Sequence, residues 1–416
     1  MTTLPTIATR DASDLRLVGE VAEVLAVPRE DPADSFVLHA PLELIARTAL
    51  LPYVDAARRP AARDRITAVG TELEAFGPPV ARPAADELES LPSATEQLVA
   101  AVGRGELDDV DRVARWLGRS ATPTQLRTLL ARDVVPRLAA AAHAPIFLFE
   151  LPRVAPRGEV TGELLRGLAR ELGRAPEWRI HWIDERDRSG DAPSAAEADV
   201  MFAALAETPL GTSEPGDSPF IYPVMSRVDG RDGTGVAAGL LDPVTGGHDV
   251  AVRGRAVLRA SAWSMLLEPG DHAPYGWSHC LTMPQAVLGL TDVVDPSTAL
   301  AVASTFVVGF RSAFAVQPLE PRFPHDDPGL AVPDAIDAGP DAAAAAVWHH
   351  ADPRSPEIVG ELATRASVQG DAHLVKYTLA CLDAAEDDRA HARLFLAAAA
   401  SLSGWWAEHG DGPAPG

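Results

Sequence analysis

The sequence predicts a mostly α-helical protein built as a single large domain. Apolar residues recur at helical spacing in segment after segment, while the strict alternation of a half-buried strand is scarce. At 416 residues, with 47% hydrophobic and 23% charged side chains, the chain can bury a sizeable core. No tandem repeat of solenoid period divides it.

In order, Leu15–Val27 is the first helical segment, and Pro28 and Pro32 end it. Leu38–Leu51 follows, with His39 at its start and Pro41 in a first turn, where a missing N–H costs no intrahelical bond. Arg63–Phe76 makes a third helix, and the proline-rich stretch Gly77–Ala84 leads on to Ala94–Val102 and Leu107–Leu117. Thr122–Phe149 reads as one long helix kinked at Pro136, with His143-Ala144-Pro145 beyond the kink. Gly162–Gly173 is another helix. The middle is less regular. Trp178–Glu185 reads as a short strand, Ala195–Glu207 as a helix, and 208–249 as a loop-rich insertion crowded with Gly, Pro, Ser and Asp. Helix returns at Val252–Leu267, and a turn beginning at His272 feeds the next helix through His279. Thr298–Phe314 is an apolar helix and 317–340 a proline-rich surface linker. Pro356–Val368, Ala372–Ala384 and Ala390–Trp406 are the last three helices.

The net charge of −23 argues against nucleic acid as a partner, because that binding depends on Lys and Arg neutralising phosphates. It argues equally against anionic membrane surfaces. Cys280 and Cys381, the only two cysteines, offer neither a disulfide framework nor a Cys-rich zinc pattern, which fits a reducing cytoplasm. The first residues lack the apolar run of a signal peptide. The longest charge-free apolar stretches, Leu138–Phe149 and Pro296–Phe310, fall short of the ~20 residues of a membrane span. The expectation is a cytoplasmic protein with no membrane partner.

Chemistry concentrates at Lys376, the single lysine among 36 Lys and Arg residues. It lies three residues after His373 in an apolar helical segment, and residues three apart share a helix face. A buried lysine loses its proton readily, whereas a guanidinium stays charged. The neutral amine can act as a base, form a Schiff base, or take up CO2 to give an anionic carbamate. His39, His143 and His279 lie at or near the start or the kink of three other apolar helices. Helical bundles build metal sites from inward side chains on facing helices, and imidazole suits iron, zinc, copper and nickel. Four imidazoles are neutral donors, so a carbamate on Lys376 would bring the one negative charge. His272 competes with His279 for its place. Glu43, one turn after His39, is a candidate to hold a ligand imidazole by its other N–H. Trp263, Trp277 and Phe147 are candidate apolar walls. Gly233-Thr234-Gly235 follows no strand, so it is no dinucleotide fingerprint. Gly276-Trp277-Ser278-His279-Cys280 lacks the second glycine of a nucleophile elbow.

Four segments in this order resemble the questin oxidase-like family, helical enzymes of aromatic-polyketide pathways. They are Leu38-His39-Ala40-Pro41-Leu42-Glu43, Ala142-His143-Ala144-Pro145, Ser278-His279-Cys280-Leu281-Thr282-Met283-Pro284 and His373-Leu374-Val375-Lys376-Tyr377-Thr378-Leu379-Ala380-Cys381-Leu382. Together they span nearly the whole chain apart from its loop-rich middle, and the last is the most specific. The resemblance implies ring opening of anthraquinone-type substrates in secondary metabolism, by Baeyer–Villiger-like oxidation or dioxygenase-type cleavage. It implies non-haem Fe(II) held by His39, His143, His279, His373 and a carboxylated Lys376. Its partners would be O2 and an aromatic small molecule, with NADPH as a candidate external reductant. The residues by themselves leave two other readings open: a zinc-dependent hydrolase or lyase at the same site, and a non-catalytic helical protein that binds a small molecule.

Overall fold

Helices carry almost all the regular structure: among the described residues 76% are helical and no strand forms. The computed structural model describes residues 12–29, 36–74, 77–154 apart from 82, 85 and 86, 159–180 and 250–410, with isolated positions at 206, 221, 224 and 225. Sixteen α-helices lie within these residues. The first eight are α1 Ala12–Leu25, α2 Phe36–Leu50, α3 Arg59–Glu74, α4 Leu91–Arg104, α5 Leu107–Ser120, α6 Pro123–Val134, α7 Ala144–Val154 and α8 Glu159–Arg174. The second eight are α9 Val250–Leu267, α10 Ser278–Leu288, α11 Pro296–Phe314, α12 Val332–Asp337, α13 Pro340–His349, α14 Pro356–Val368, α15 Ala372–Asp387 and α16 Ala392–His409.

Local chemistry fixes many of the starts. Ser90, Thr122, Asp295, Ser355 and Asp371 each accept a backbone N–H of the first turn that would otherwise lack a partner. Thr122 and Gln125 satisfy each other's backbone N–H groups as a capping box.

Four helices close into a ring, α2 against α7, α7 against α10, α10 against α15, and α15 back against α2. α10 is buried at every position from Ser278 to Val287, its polar Ser278, His279, Thr282 and Gln285 included. Around this ring α16 packs against α9, α13 and α15, and α11 packs against α9 and α10. Because the ring takes two helices from each end of the chain, the protein is one mostly helical domain with one core. On the N-terminal side α5 crosses α8 at glycines: a Cβ on Gly118 would lie 1.8 Å from the Cα of Gly162, so only glycine permits that approach.

Several expectations change. The single helix Thr122–Phe149 is two helices, because the α-helix stops at Val134 and restarts at Ala144 instead of bending at Pro136. Three consecutive residues there, Ala140, Ala141 and Ala142, adopt left-handed φ of 56°, 49° and 55°. Trp178–Glu185 is not a strand as far as it is described: Arg179 forms one isolated bridge with Arg137, and 181–185 lie outside the described residues. The expected helix at Ala195–Glu207 and the insertion at 208–249 also fall outside them, apart from the isolated positions. α2 begins earlier than expected, so Pro41 sits inside the helix rather than in its first turn. The expected linker 317–340 is extended and largely exposed only to Ala331; Val332–Asp337 then folds as α12, and α13, unforeseen, follows at Pro340. α11 is 19 residues long and by length and composition could cross a membrane, but 72% of its apolar window is buried within the protein. Its Arg311 is fully buried in an ion pair with Glu268.

Candidate metal centre

The four ring helices bring His39, His143, His279, His373 and Lys376 together, although the first and last lie more than three hundred positions apart in sequence. His39 projects from α2, His279 from the first turn of α10, and His373 and Lys376 from the first two turns of α15. His143 stands immediately before α7. Ligating nitrogens of His39, His279 and His373 all lie within 4.8 Å of one another. His143 joins through His39: their Nε2 atoms are 2.9 Å apart. Nitrogens bound at right angles to one ion at ~2.0–2.1 Å each would sit about 3 Å apart. Ring centroids of 4.5 Å for His39–His373, 4.9 Å for His279–His373 and 5.2 Å for His143–His279 complete the cluster.

Three of the imidazoles are oriented from behind. His143 Nδ1 donates to the Ala140 carbonyl at 3.0 Å, His279 Nδ1 to the Tyr275 carbonyl at 2.5 Å, and His373 Nδ1 to the Asp371 carboxylate at 2.9 Å. With Nδ1 carrying the proton, each Nε2 keeps its lone pair and faces the interior of the cluster. The left-handed alanines explain the first of these bonds. A run of αL residues costs roughly 1–2 kcal/mol each, and here it places the Ala140 carbonyl under the His143 ring. Trp178 holds the strained turn by accepting the Leu138 and Ala139 amides through its carbonyl.

The orphaned atoms point to an occupant. His279 Nε2, His373 Nε2 and Lys376 Nζ are buried and have no hydrogen-bond partner. A buried polar group without a partner costs roughly 1–3 kcal/mol, so three of them facing one another suit a cation or a polar ligand. Their protonation fits a metal. Burial, followed by the charge of Lys376, holds His39 and His143 well below the usual imidazole range. Burial, then the neighbouring His373, does the same for His279. His373 is lowered by burial and by Lys376, against the pull of Asp371. Burial brings the Lys376 amine down to about 8, with Asp371 and Glu43 opposing. The four imidazoles therefore stay neutral and offer lone pairs near neutral pH, as metal binding requires, while the Lys376 amine does so as pH rises through about 8.

No protein-family model, curated protein or solved structure matches the chain.

All five proposed residues gather at one centre. His272 does not join them: it is exposed and stacks on Phe314 at 4.3 Å. Glu43 is fully buried, yet its Oε1 takes Arg47 and Arg65 rather than an imidazole. Asp371, overlooked in the sequence, is the carboxylate that holds a ligand imidazole, and it also caps α15. Its capping role was legible, an Asp at a helix start, but its turn back onto the His373 ring was not. Trp263 and Trp277 pack on Trp348 and Phe314, and Phe147 lies in the core. Among the described residues the aromatic ring in contact with the cluster belongs instead to Tyr275.

Proposed function

We propose that the chain is a non-haem iron(II)-dependent oxygenase of the questin oxidase-like kind, opening a ring of an aromatic, polycyclic, anthraquinone-type small molecule with O2. The observation that carries this is the convergence of buried imidazole nitrogens with an unpartnered buried lysine amine. Fe(II), held by His39, His143, His279, His373 and Lys376, would supply the one-electron chemistry that lets O2 react with a closed-shell organic substrate.

The remaining parts belong to the chain. The amine form of Lys376, made accessible by a pKa lowered to about 8, would take up CO2 with loss of a proton to become a carbamate anion; that anion offsets charge which four neutral imidazoles cannot. Asp371 keeps the His373 proton on Nδ1 and adds negative charge behind the ring. The Ala140 and Tyr275 carbonyls hold His143 and His279 in the same tautomer. The apolar faces of α2, α7, α10 and α15 exclude bulk water, which strengthens each of these interactions.

Elemental analysis of gently purified protein tests the proposal. The expected result is about one iron per chain, lost in both Lys376→Ala and His373→Ala, with O2 uptake on addition of hydroxylated quinones. Zinc that survives anaerobic iron reconstitution would point to the hydrolase or lyase chemistry. No metal under any condition would leave a small-molecule-binding protein.

A further inference from the structure

O2 and a substrate need a way in, and the centre is covered: its four imidazoles and Lys376 are all buried. Tyr275 differs from everything else at the cluster. It is 39% exposed, yet its ring stands edge-on to His373, with centroids 4.7 Å apart and planes at 84°. It lies in a single π-turn, Ala273–Trp277, that leads directly into α10. Such turns admit an extra residue and re-aim the side chains around it. Here the turn gives one residue two contacts with the centre. The Tyr275 carbonyl accepts the His279 Nδ1 bond, while its ring covers His373. The far side of the turn is packed tight: a Cβ on Gly276 would meet His272 Cβ at 3.0 Å and the Phe314 ring at 3.3 Å. The backbone is therefore held, and the tyrosine ring is the part of the cover that reaches solvent.

We propose that Tyr275 closes the mouth of the centre and selects what enters it, admitting a flat aromatic ring that replaces the tyrosine's edge contact with His373. Aromatic pairs gain from offset-stacked or edge-to-face contact beyond simple burial, so an aromatic guest meets both the displaced tyrosine and the imidazole favourably. A saturated ring of the same size meets neither as well. The choice of an aromatic guest rests on the function proposed above; the closure rests on geometry alone.

The test uses metal-free full-length protein, so it reads the entrance whether or not iron is the native metal. Diethyl pyrocarbonate acylates accessible neutral imidazoles, and peptide mass spectrometry gives a rate for each histidine. In the wild type, His373 and His279 should react slowly beside His391, whose side chain is 45% exposed. Tyr275→Ala should speed His373 and His279 by about tenfold or more, equivalent to removing roughly 1.4 kcal/mol of opening cost. His391 should stay unchanged. Unchanged rates in Tyr275→Ala would overturn the closure. So would an equal rise at His143, the deepest of the four, because that would report general loosening. In the wild type, phenol should protect His373 and cyclohexanol should not; equal protection by both, or by neither, would overturn the selectivity.

Discussion

Lys376 is where one residue's chemistry departs most from its neighbours'. Among the described residues the other buried cations are arginines, and the fully buried Arg47, Arg166 and Arg311 pair with Glu43, Asp111 and Glu268 respectively. A guanidinium suits that work because it stays charged and bonds bidentately. It cannot supply a neutral amine, and Lys376 Nζ has no partner at all. The consequence is a cost in the metal-free protein. Unfolded, the amine has its ordinary pKa of 10.5; folded, burial lowers it to about 8. Between those values the unfolded chain binds more protons, so stability rises with pH across that window. Below pH 8 the whole penalty of a buried ammonium remains. Lys376→Met should therefore stabilise the metal-free protein at pH 7, by on the order of 3 kcal/mol, and the advantage should shrink as pH rises from 8 towards 10.5. Urea unfolding with chelator, at pH 7 and pH 10, measures it; an equal or lower midpoint for Lys376→Met at pH 7 would contradict the account. The sequence already isolated this residue, because a lone lysine among arginines is visible without coordinates. Asp371 and Tyr275 were not visible as site residues. Each acts through an orientation, a carboxylate turned back onto its own helix and a ring re-aimed by a π-turn, that residue spacing does not encode.

At the scale of elements, α15 is placed by its junction with α14, and Arg47 holds that junction. From α2 it donates to the carbonyls of Ala366 and Ser367 at the end of α14, and of Gln369 just beyond, at 3.2, 2.7 and 2.7 Å. These carbonyls lack helical partners, and Asp371 and His373 follow within a few residues. One side chain thus satisfies a helix end, neutralises buried Glu43 and fixes where the His373 helix starts. Arg47→Ala should cost about 3–5 kcal/mol, as expected when a buried ion pair loses one partner, and should weaken metal binding as well. Arg47→Lys should recover little, because an ammonium cannot span three carbonyls and a carboxylate. Wild-type stability in Arg47→Ala, read by denaturant unfolding, would show that the junction is held by packing alone. The helices themselves were largely legible, since Pro356–Val368 is placed to the residue and most others within a few positions. The expectation failed where backbone conformation overrode pattern. Three left-handed alanines cannot be anticipated from an alanine-rich stretch that reads as continuous helix. They break the segment and aim His143.

For the whole molecule, the centre ties distant parts of the chain into one cooperative unit. Its donors come from four ring helices, and the unfolded chain brings none of them together. A metal that binds only the folded state adds stability as RT ln(1 + [L]/Kd), about 2.7 kcal/mol at a hundredfold excess over Kd. The metal-free form carries the opposite burden. The cluster histidines are held below their ordinary values, chiefly by burial, so stability is fully present above the unfolded imidazole pKa near 6.5. It is lost as pH falls below that value, when the unfolded chain takes up protons the folded centre refuses. Bound metal competes with those protons. Loaded protein should therefore melt several degrees above the chelated form at pH 7, by an amount that grows with free metal, and the gap should narrow as pH drops below 6.5. Lys376→Met distinguishes the two effects because its signs oppose: it should melt higher than wild type without metal and show no metal-dependent rise. Calorimetric melts of both proteins, with chelator and across a series of free Fe(II) concentrations under anaerobic conditions, decide this. Melting temperatures for the wild type that do not move with metal would mean the five side chains form no metal centre, and the unpartnered nitrogens would then require a different ligand.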